Sequence, residues 1–123
     1  MIQKTKGQLE AEISIAFARF EKEHLGRGPK KVNTFIVADV IVVRLIDILT
    51  LAERKLAENS NGVQLMKQTR LSLIEGCRSV LEEIIYDITG INTVSLHTDI
   101  STRTGERIFV FCLDKNIEFV ADN

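Results

Sequence analysis

Apolar residues recur at intervals of three and four along residues 4–25, which predicts an amphipathic first helix. Its apolar stripe is formed by Leu9, Ile13, Ala16, Phe17 and Phe20. Gly26 stands where a left-handed residue commonly ends a helix, and Pro29 prevents the helix from continuing. We therefore expect a helix that buries one face and exposes its charged side chains on the others.

Two strands are predicted next, over residues 31–37 and 40–48, with a tight turn at Ala38 and Asp39 between them. The second strand is apolar on both faces from Val40 to Ile46, with Arg44 as its one charged residue. This pattern indicates burial on both sides of the sheet. Because the chain has few helices to cover two faces, we expect another subunit to supply part of that burial.

A capping box at Thr50 and Glu53 predicts a short helix over residues 51–58. In such a box the threonine hydroxyl and the glutamate carboxylate each accept a hydrogen bond from the other residue's backbone N–H. The polar segment 59–62 then interrupts the chain before the next element.

A long third helix is predicted over residues 63–89, with Gly90 as the residue that ends it. At a rise of 1.5 Å per residue this helix would approach ~40 Å, which is longer than a small domain is wide. We therefore expect part of it to project or to pack against a partner chain. Gly76 lies near its middle and indicates a close crossing or a bend.

A β-hairpin is predicted over residues 90–113, with its turn at residues 102–105. Successive strand residues point to opposite faces, so its first strand has a polar and an apolar side. We expect the core side to carry Val94, Leu96 and Ile100, and the polar side to carry Thr93, Ser95, His97 and Asp99. The returning strand, residues 107–113, is apolar on both faces, and the tail at 117–120 is expected to add a strand or cover an edge.

The element order α-β-β-α-α-β-β predicts an α+β fold, a two-layer sandwich with helices on one face of a four-stranded, mainly antiparallel sheet. All 123 residues are expected to form a single domain. The doubly apolar second strand and the length of the third helix together predict a homodimer.

Composition excludes several classes of function. A net charge of −1 and the absence of tryptophan argue against a nucleic-acid-binding protein. No apolar run reaches the ~20 residues that a membrane-spanning helix needs, and the N-terminus lacks the apolar core of a secretory signal. Cys77 and Cys112 have no CxxC partner and are interpreted as buried thiols in a reducing compartment. A cytoplasmic protein with no direct membrane insertion is therefore expected.

The hairpin residues Ser95, His97 and Asp99 are the first candidates for chemistry. A hydrolase triad needs side chains that converge from different elements, whereas these three would project in parallel from one strand. A catalytic zinc site needs three protein ligands, and His24 is the sole further histidine that could converge with this pair. We therefore expect no catalytic residues, no metal ligands and no cofactor.

A basic loop follows the first helix and could bind an anion, because Arg27, Gly28 and Lys30 would present backbone N–H groups and cations. The loop lacks the spacing of a phosphate-binding loop, and a helix stop followed by a solvated segment is the simpler interpretation. Arg44 must find a carboxylate or reach solvent, and Asp47 or Asp99 could serve as its partner. The candidate ligand or partner surface comprises Arg27, Gly28, Lys30, Arg44, His97, Asp99, Ser101, Arg103 and Arg107.

The segments LGRGPKKV, IVADVIVVRL, LTLAE and SLHTDISTRTGERIFVFCLDKN together resemble the MpsC family, a group of small bacterial proteins of unknown function. The resemblance extends from about Thr5 to Glu118, and the chain departs from the family pattern at Leu51, where a proline often follows the threonine. The family is named for a Na+-translocating, membrane-potential-generating system linked to inorganic-carbon supply. The resemblance therefore implies a possible membrane partner and implies no activity.

Two functional hypotheses from different classes remain. The first is a non-enzymatic accessory or regulatory protein of a membrane Na+-translocating or inorganic-carbon uptake system, peripheral to the inner face of the membrane through a protein partner. The second is a sensor domain that binds a small anion such as bicarbonate or phosphate at Arg27, Lys30 and the hairpin arginines.

Overall fold

The computed structural model describes residues 4–120, whose strands form one antiparallel sheet in the order β1-β2-β4-β3. The helices pack on one face of this sheet, so the predicted α+β two-layer sandwich is confirmed. The elements are α1 (Lys6–Leu25), β1 (Lys31–Val37), β2 (Val40–Ile46), α2 (Leu51–Leu56), α3 (Ser60–Thr89), β3 (Thr93–Ser101), β4 (Glu106–Leu113) and α4 (Ile117–Val120).

Helix α1 starts at a capping box that the sequence analysis did not identify. The backbone N–H of Gln8 donates to the Thr5 hydroxyl over 3.1 Å, and the Thr5 N–H donates to the Gln8 side chain over 2.9 Å. The box satisfies two backbone N–H donors at the start of the helix. It makes Lys6 the first helical residue, two residues later than predicted. Gly26 ends the helix with φ = 89°, as expected for a left-handed cap.

The core lies between the sheet and the apolar stripe of α1. Phe17 is fully buried, and its ring centroid lies 5.4 Å from that of Phe109 and 5.7 Å from that of Phe111 on the central strand β4. Leu9 and Ile13 continue the same stripe and are also fully buried. Each of these side chains contributes about 1.5–3 kcal/mol through burial, so this contact anchors the helix layer to the sheet.

Strand β2 ends two residues earlier than predicted. Asp47 has φ = 59°, which turns the chain out of the strand, and Ile48 and Leu49 are buried in the connection to α2 rather than in the sheet. A non-glycine residue with positive φ is uncommon and is held in place by its surroundings. Here the Asp47 carboxylate is bound by two arginines, which the next subsection describes.

A β-bulge in β3 changes which residues face the core. The pairing register with β4 shifts between Thr93 and Ser95, so that two residues of β3 are accommodated where one was expected. As a result Val94 is 69% exposed, and Thr93, which pairs with Leu113, has a buried hydroxyl. The predictions that Val94 faces the core and that Thr93 lies on the polar side were therefore wrong.

The C-terminal tail forms the short helix α4, which contacts the edge strand β1, so of the two expected alternatives the additional strand was wrong. Ile117 is fully buried, and its N–H donates to the carbonyl of Ala38 over 3.0 Å. The Glu118 carboxylate accepts from the Ala38 N–H over 2.6 Å and from Lys6 Nζ over 2.8 Å. Because Ala38 has φ = 56°, these contacts stabilise a strained turn between β1 and β2.

The two glycines of α3 have different surroundings. A Cβ atom built on Gly62 would lie 1.7 Å from the carbonyl oxygen of Leu56, so the start of α3 passes directly against the end of α2. A Cβ atom on Gly76 would meet nothing within 4 Å, so the expected close crossing at that residue was wrong.

These surroundings predict opposite effects for two alanine substitutions. Gly62→Ala forces backbone apart, and we expect it to lower the free energy of unfolding by about 1–3 kcal/mol. Gly76→Ala removes a glycine from an exposed helix interior without a clash, and we expect it to raise the same quantity by about 0.5–1 kcal/mol. Urea denaturation of both variants measures these changes, and equal effects of the two substitutions would contradict this packing.

Candidate functional site

The face of the sheet that points away from the helices is apolar and uncovered within the described chain. We call it the open face, and it consists of the outward side chains Phe35, Val37, Val40, Val42, Ile108, Val110 and Cys112. They align across the strands, since Phe35 pairs with Val42 and Val42 with Val110. Phe35 and Val37 are about half exposed (48% and 60%), and continuous apolar surface of this kind marks an interaction site.

A row of polar side chains on β3 borders the open face. We call it the polar edge, and it consists of Ser95, His97, Asp99 and Ser101. The first three lie beside Cys112, Val110 and Ile108 of β4, so the edge continues the open face across to the last strand of the sheet. Three of the four residues predicted for the polar side, Ser95, His97 and Asp99, therefore lie on one face, and Ser101 lies on it as well.

The polar edge does not assemble a relay of the hydrolase type. His97 Nε2 and Ser95 Oγ share a hydrogen bond of 3.2 Å, whereas Asp99 binds Lys67 of α3 at 3.3 Å. The backbone N–H of Ile100 and then Lys67 hold the pKa of Asp99 below its ordinary value. His24 stacks on Phe20 with ring centroids 4.6 Å apart. Within residues 4–120 no three His, Cys, Asp or Glu side chains lie close enough to hold a metal ion.

The arginine of the basic loop is engaged by the chain itself. Arg27 donates to both carboxylate oxygens of Asp47, over 3.3 and 3.2 Å, and to the carbonyl of Leu49. The hydrogen bond from Arg27 lowers the pKa of Asp47, which also pairs with Arg54. Lys30 donates its backbone N–H to the carbonyl of Ile46 over 2.9 Å. This loop therefore ties the end of α1 to the connection between β2 and α2, and Gly28 lies within it.

The remaining predicted surface residues are separated by the sheet. Arg44 lies on the outward side of β2 and pairs with Glu106 over 2.7 Å, so the expected partners Asp47 and Asp99 were wrong. Arg103 is exposed in the β3–β4 turn. Arg107 lies on the opposite, helix-covered side of β4 and is only 2% exposed. The structure therefore places Arg44, His97, Asp99 and Ser101 on the outward side and separates Arg107 from them.

An ion cluster that the sequence patterns did not predict joins Glu21 of α1, Glu53 of α2 and Arg70 of α3. Arg70 Nη1 donates to Glu21 over 3.0 Å, and Nε and Nη2 donate to Glu53 over 2.7 and 2.8 Å. Arg70 Nη2 also donates to the carbonyl of Ile48 over 3.2 Å. One guanidinium therefore joins three helices to the β2–α2 connection.

Electrostatics in the ion cluster follow from burial. Burial raises the pKa of Glu21, which is fully inaccessible, and the charge of Arg70 opposes that rise. Burial acts in the same direction on Glu53, but hydrogen bonds from Arg70 and Thr50 hold its pKa below the ordinary value. The sequence does carry a signal for this cluster, because helical spacing places both charged residues in line with buried apolar side chains. Glu21 lies four residues after Phe17, and Arg70 lies midway between Met66 and Ile74.

Comparison with known proteins assigns the chain to a family. The family described as a Na+-translocating membrane potential-generating system (MpsC) matches residues 5–115. The chain belongs to the MpsC family. Within the part of the chain that the structure describes, no helix combines the length and hydropathy needed to cross a membrane.

Two relatives from Bacillus subtilis (strain 168) are similar to this MpsC chain. It is 46% identical over 121 residues to the uncharacterized protein YbcI, which covers 95% of this chain and 98% of the relative. It is 27% identical over 108 residues to the uncharacterized protein YrhF, which covers 87% of this chain and 88% of the relative. No solved structure matches the chain.

The ion cluster predicts a large and pH-dependent effect of Arg70→Met, which leaves the buried Glu21 carboxylate and the partly buried Glu53 carboxylate without this cation. We expect the free energy of unfolding near neutral pH to fall by about 3–5 kcal/mol. A carboxyl whose pKa is raised on folding binds a proton more tightly in the folded chain than in the unfolded chain. Its contribution to the free energy of unfolding is therefore fully present at low pH and is lost as the pH rises through the raised pKa. The deficit of Arg70→Met should therefore shrink between about pH 8 and about pH 5.

Arg54→Met is the matched control, because Arg54 pairs with Asp47 at the half-exposed surface. We expect it to lower the free energy of unfolding by less than about 1 kcal/mol at either pH. Chemical denaturation of both variants at several pH values makes the comparison. An equal deficit for the two variants, or a deficit of Arg70→Met that does not depend on pH, would contradict the assigned role of the cluster.

Proposed function

We propose that this chain is a non-enzymatic accessory component of a Na+-translocating membrane system and that it acts as a cytoplasmic homodimer. The observation that carries the proposal is the open face, a continuous apolar surface on a chain whose family is described by that membrane system. Two half-buried free cysteines, Cys77 and Cys112, suit a reducing compartment. The polar edge offers hydrogen-bonding groups without a catalytic arrangement, which supports a binding role.

A second copy of the chain is the occupant that best fits the open face. Its apolar side chains are mostly β-branched, and its one cation near the centre, Arg44, is already neutralised by Glu106. Such a surface has no unpaired charge with which to select a charged partner, and it is complementary to itself. Two sheets packed face to face about 10 Å apart would bury it as a sandwich core.

Alternative surfaces for dimerisation are weaker. The exposed leucines of α3 include Leu65, Leu71 and Leu73. Leu65 and Leu73 are eight residues apart and lie within one broad stripe, but Leu71 projects from a different side of the helix, so the three leucines form no continuous seam for a partner helix. The dimer is therefore assigned to the sheet and not to the long helix.

The polar edge is the surface that we assign to the membrane partner. It borders the open face, so it stays accessible at the rim when two open faces meet. His97 is exposed, and Arg103 in the adjoining turn is exposed as well. Exposed polar groups beside a buried apolar patch supply specificity to an interface rather than most of its affinity.

Charge on the open face should abolish the dimer. We expect the native chain, whose monomer mass is 13.9 kDa, to show twice that mass by light scattering, and Val42→Glu or Val110→Glu to show the monomer mass. Burying two carboxylates at a two-fold apolar interface is too costly to be compensated there. Leu65→Glu on α3 is the matched control and should remain dimeric. A monomeric native chain at millimolar concentration, or dimeric open-face variants, would overturn this assignment.

The membrane role predicts a specific loss in His97→Ala/Arg103→Ala. Tagged native protein, incubated with detergent-solubilised membranes of its source, should retain an ion-translocating membrane protein that the double variant does not retain. Arg19→Ala/Glu23→Ala, on the exposed side of α1, is the control and should retain it. Added to vesicles that contain the retained protein, the native chain should change Na+ flux. Recovery of the same membrane protein by all three forms, or unchanged flux, would overturn the proposed docking surface.

A further inference from the structure

A cavity of about 280 Å3 opens between α3 and the end of the β3–β4 hairpin, on the helix-covered side of the sheet. Its volume equals roughly nine water molecules at liquid density, which suits a small ligand. Its lining includes Lys67 and Leu71 of α3, Thr98, Asp99 and Ile100 of β3, and Arg107 of β4. Asp99 is the residue of the polar edge that also lines this cavity.

Arg107 lines the cavity and lacks an ionic partner. Its side chain is 2% exposed, yet it forms no ion pair within 4 Å with any carboxylate of the described residues. Its Nη1 donates to the Thr98 hydroxyl over 2.8 Å, and its Nε is buried without any hydrogen-bond partner. Its guanidinium carbon lies 5.4 Å from the ring centroid of Phe109. Buried charges are normally paired, so this guanidinium lacks a carboxylate partner among the described residues.

The nearby carboxylates are engaged elsewhere. Glu21 and Glu53 bind Arg70, and Asp99 binds Lys67 and the backbone N–H of Ile100. Arg70 and Arg107 therefore differ in kind, because two helices and the β2–α2 connection supply acceptors to Arg70, whereas Arg107 donates to the Thr98 hydroxyl of a neighbouring strand. Burial accordingly lowers the pKa of Arg107 to about 10, with Glu21 acting on it only through its charge.

We propose that this cavity binds a small organic carboxylate, with its carboxylate on Arg107 and its short apolar body against Leu71 and Ile100. A guanidinium presents paired N–H donors whose geometry matches a carboxylate. Lys67 lies at the same cavity and adds a second cation, which Asp99 partly neutralises. That balance suits a ligand with one negative charge better than a phosphate dianion. The site stands on the cavity and on Arg107, and it is independent of the proposed docking role.

The probe is a series of acetate, butyrate and hexanoate, each compared with its neutral amide at constant ionic strength. We expect the full-length native chain to bind butyrate in calorimetry and to unfold at a higher temperature in its presence, while butyramide has no effect. Arg107→Gln should weaken butyrate binding at least tenfold, and Arg107→Lys should weaken it less. Arg103→Gln, in the exposed turn of the same hairpin, is the matched control and should bind as the native chain does.

A second variant keeps the test decisive if Arg107→Gln does not fold. Leu71 is exposed at the mouth of the cavity, so Leu71→Asp should fold and should exclude butyrate by charge repulsion. Equal binding of butyrate and butyramide, no binding of any carboxylate, or unchanged binding by Leu71→Asp would overturn the proposal. Tighter binding of inorganic phosphate or bicarbonate than of butyrate would overturn the assignment to organic carboxylates.

Discussion

The two central strands of this sheet, β2 and β4, are apolar on both faces, while the helices of the chain pack against one face alone. Alternation along a strand makes this a strict constraint, because every second side chain must point away from the helices. Phe109 and Phe111 meet Phe17 in the core, and their neighbours Ile108 and Val110 are left on the open face. The need to cover those residues is the physical basis of the proposed homodimer.

On the covered side, two buried arginines have contrasting environments. Arg70 donates four hydrogen bonds to Glu21, Glu53 and the carbonyl of Ile48, so it acts as a structural connection among the three helices and the loop after β2. Arg107 has one neutral acceptor, the Thr98 hydroxyl, and borders a cavity. The difference in satisfied donors, rather than the difference in burial, separates a structural arginine from a candidate ligand-binding one.

Local sequence patterns predicted the helices and strands well, because the residues that begin, end or cap such an element lie within it or next to it. The bounds of β1, the start of β2, the Thr50–Glu53 capping box and the cap at Gly90 all follow from spacing and turn chemistry, and the structure contains each of them. Features that depend on distant contacts were not predicted. The bulge at Val94 depends on the register with β4, and the partner of Arg44 lies 62 residues away. Within the candidate surface, strand alternation was enough to predict that the residues of the polar edge share one face. The burial of Arg107 could not be predicted in this way, because it depends on the sheet topology.

The central claim is that two open faces meet, and isotope-filtered nuclear Overhauser spectroscopy on an equal mixture of labelled and unlabelled chains tests it most directly. The experiment reports contacts between copies alone, so the internal core does not contribute. This account predicts intermolecular contacts from the methyl groups of Val42 and Val110 and from the ring of Phe35. Intermolecular contacts confined to the leucines of α3, or none at millimolar concentration, would contradict it.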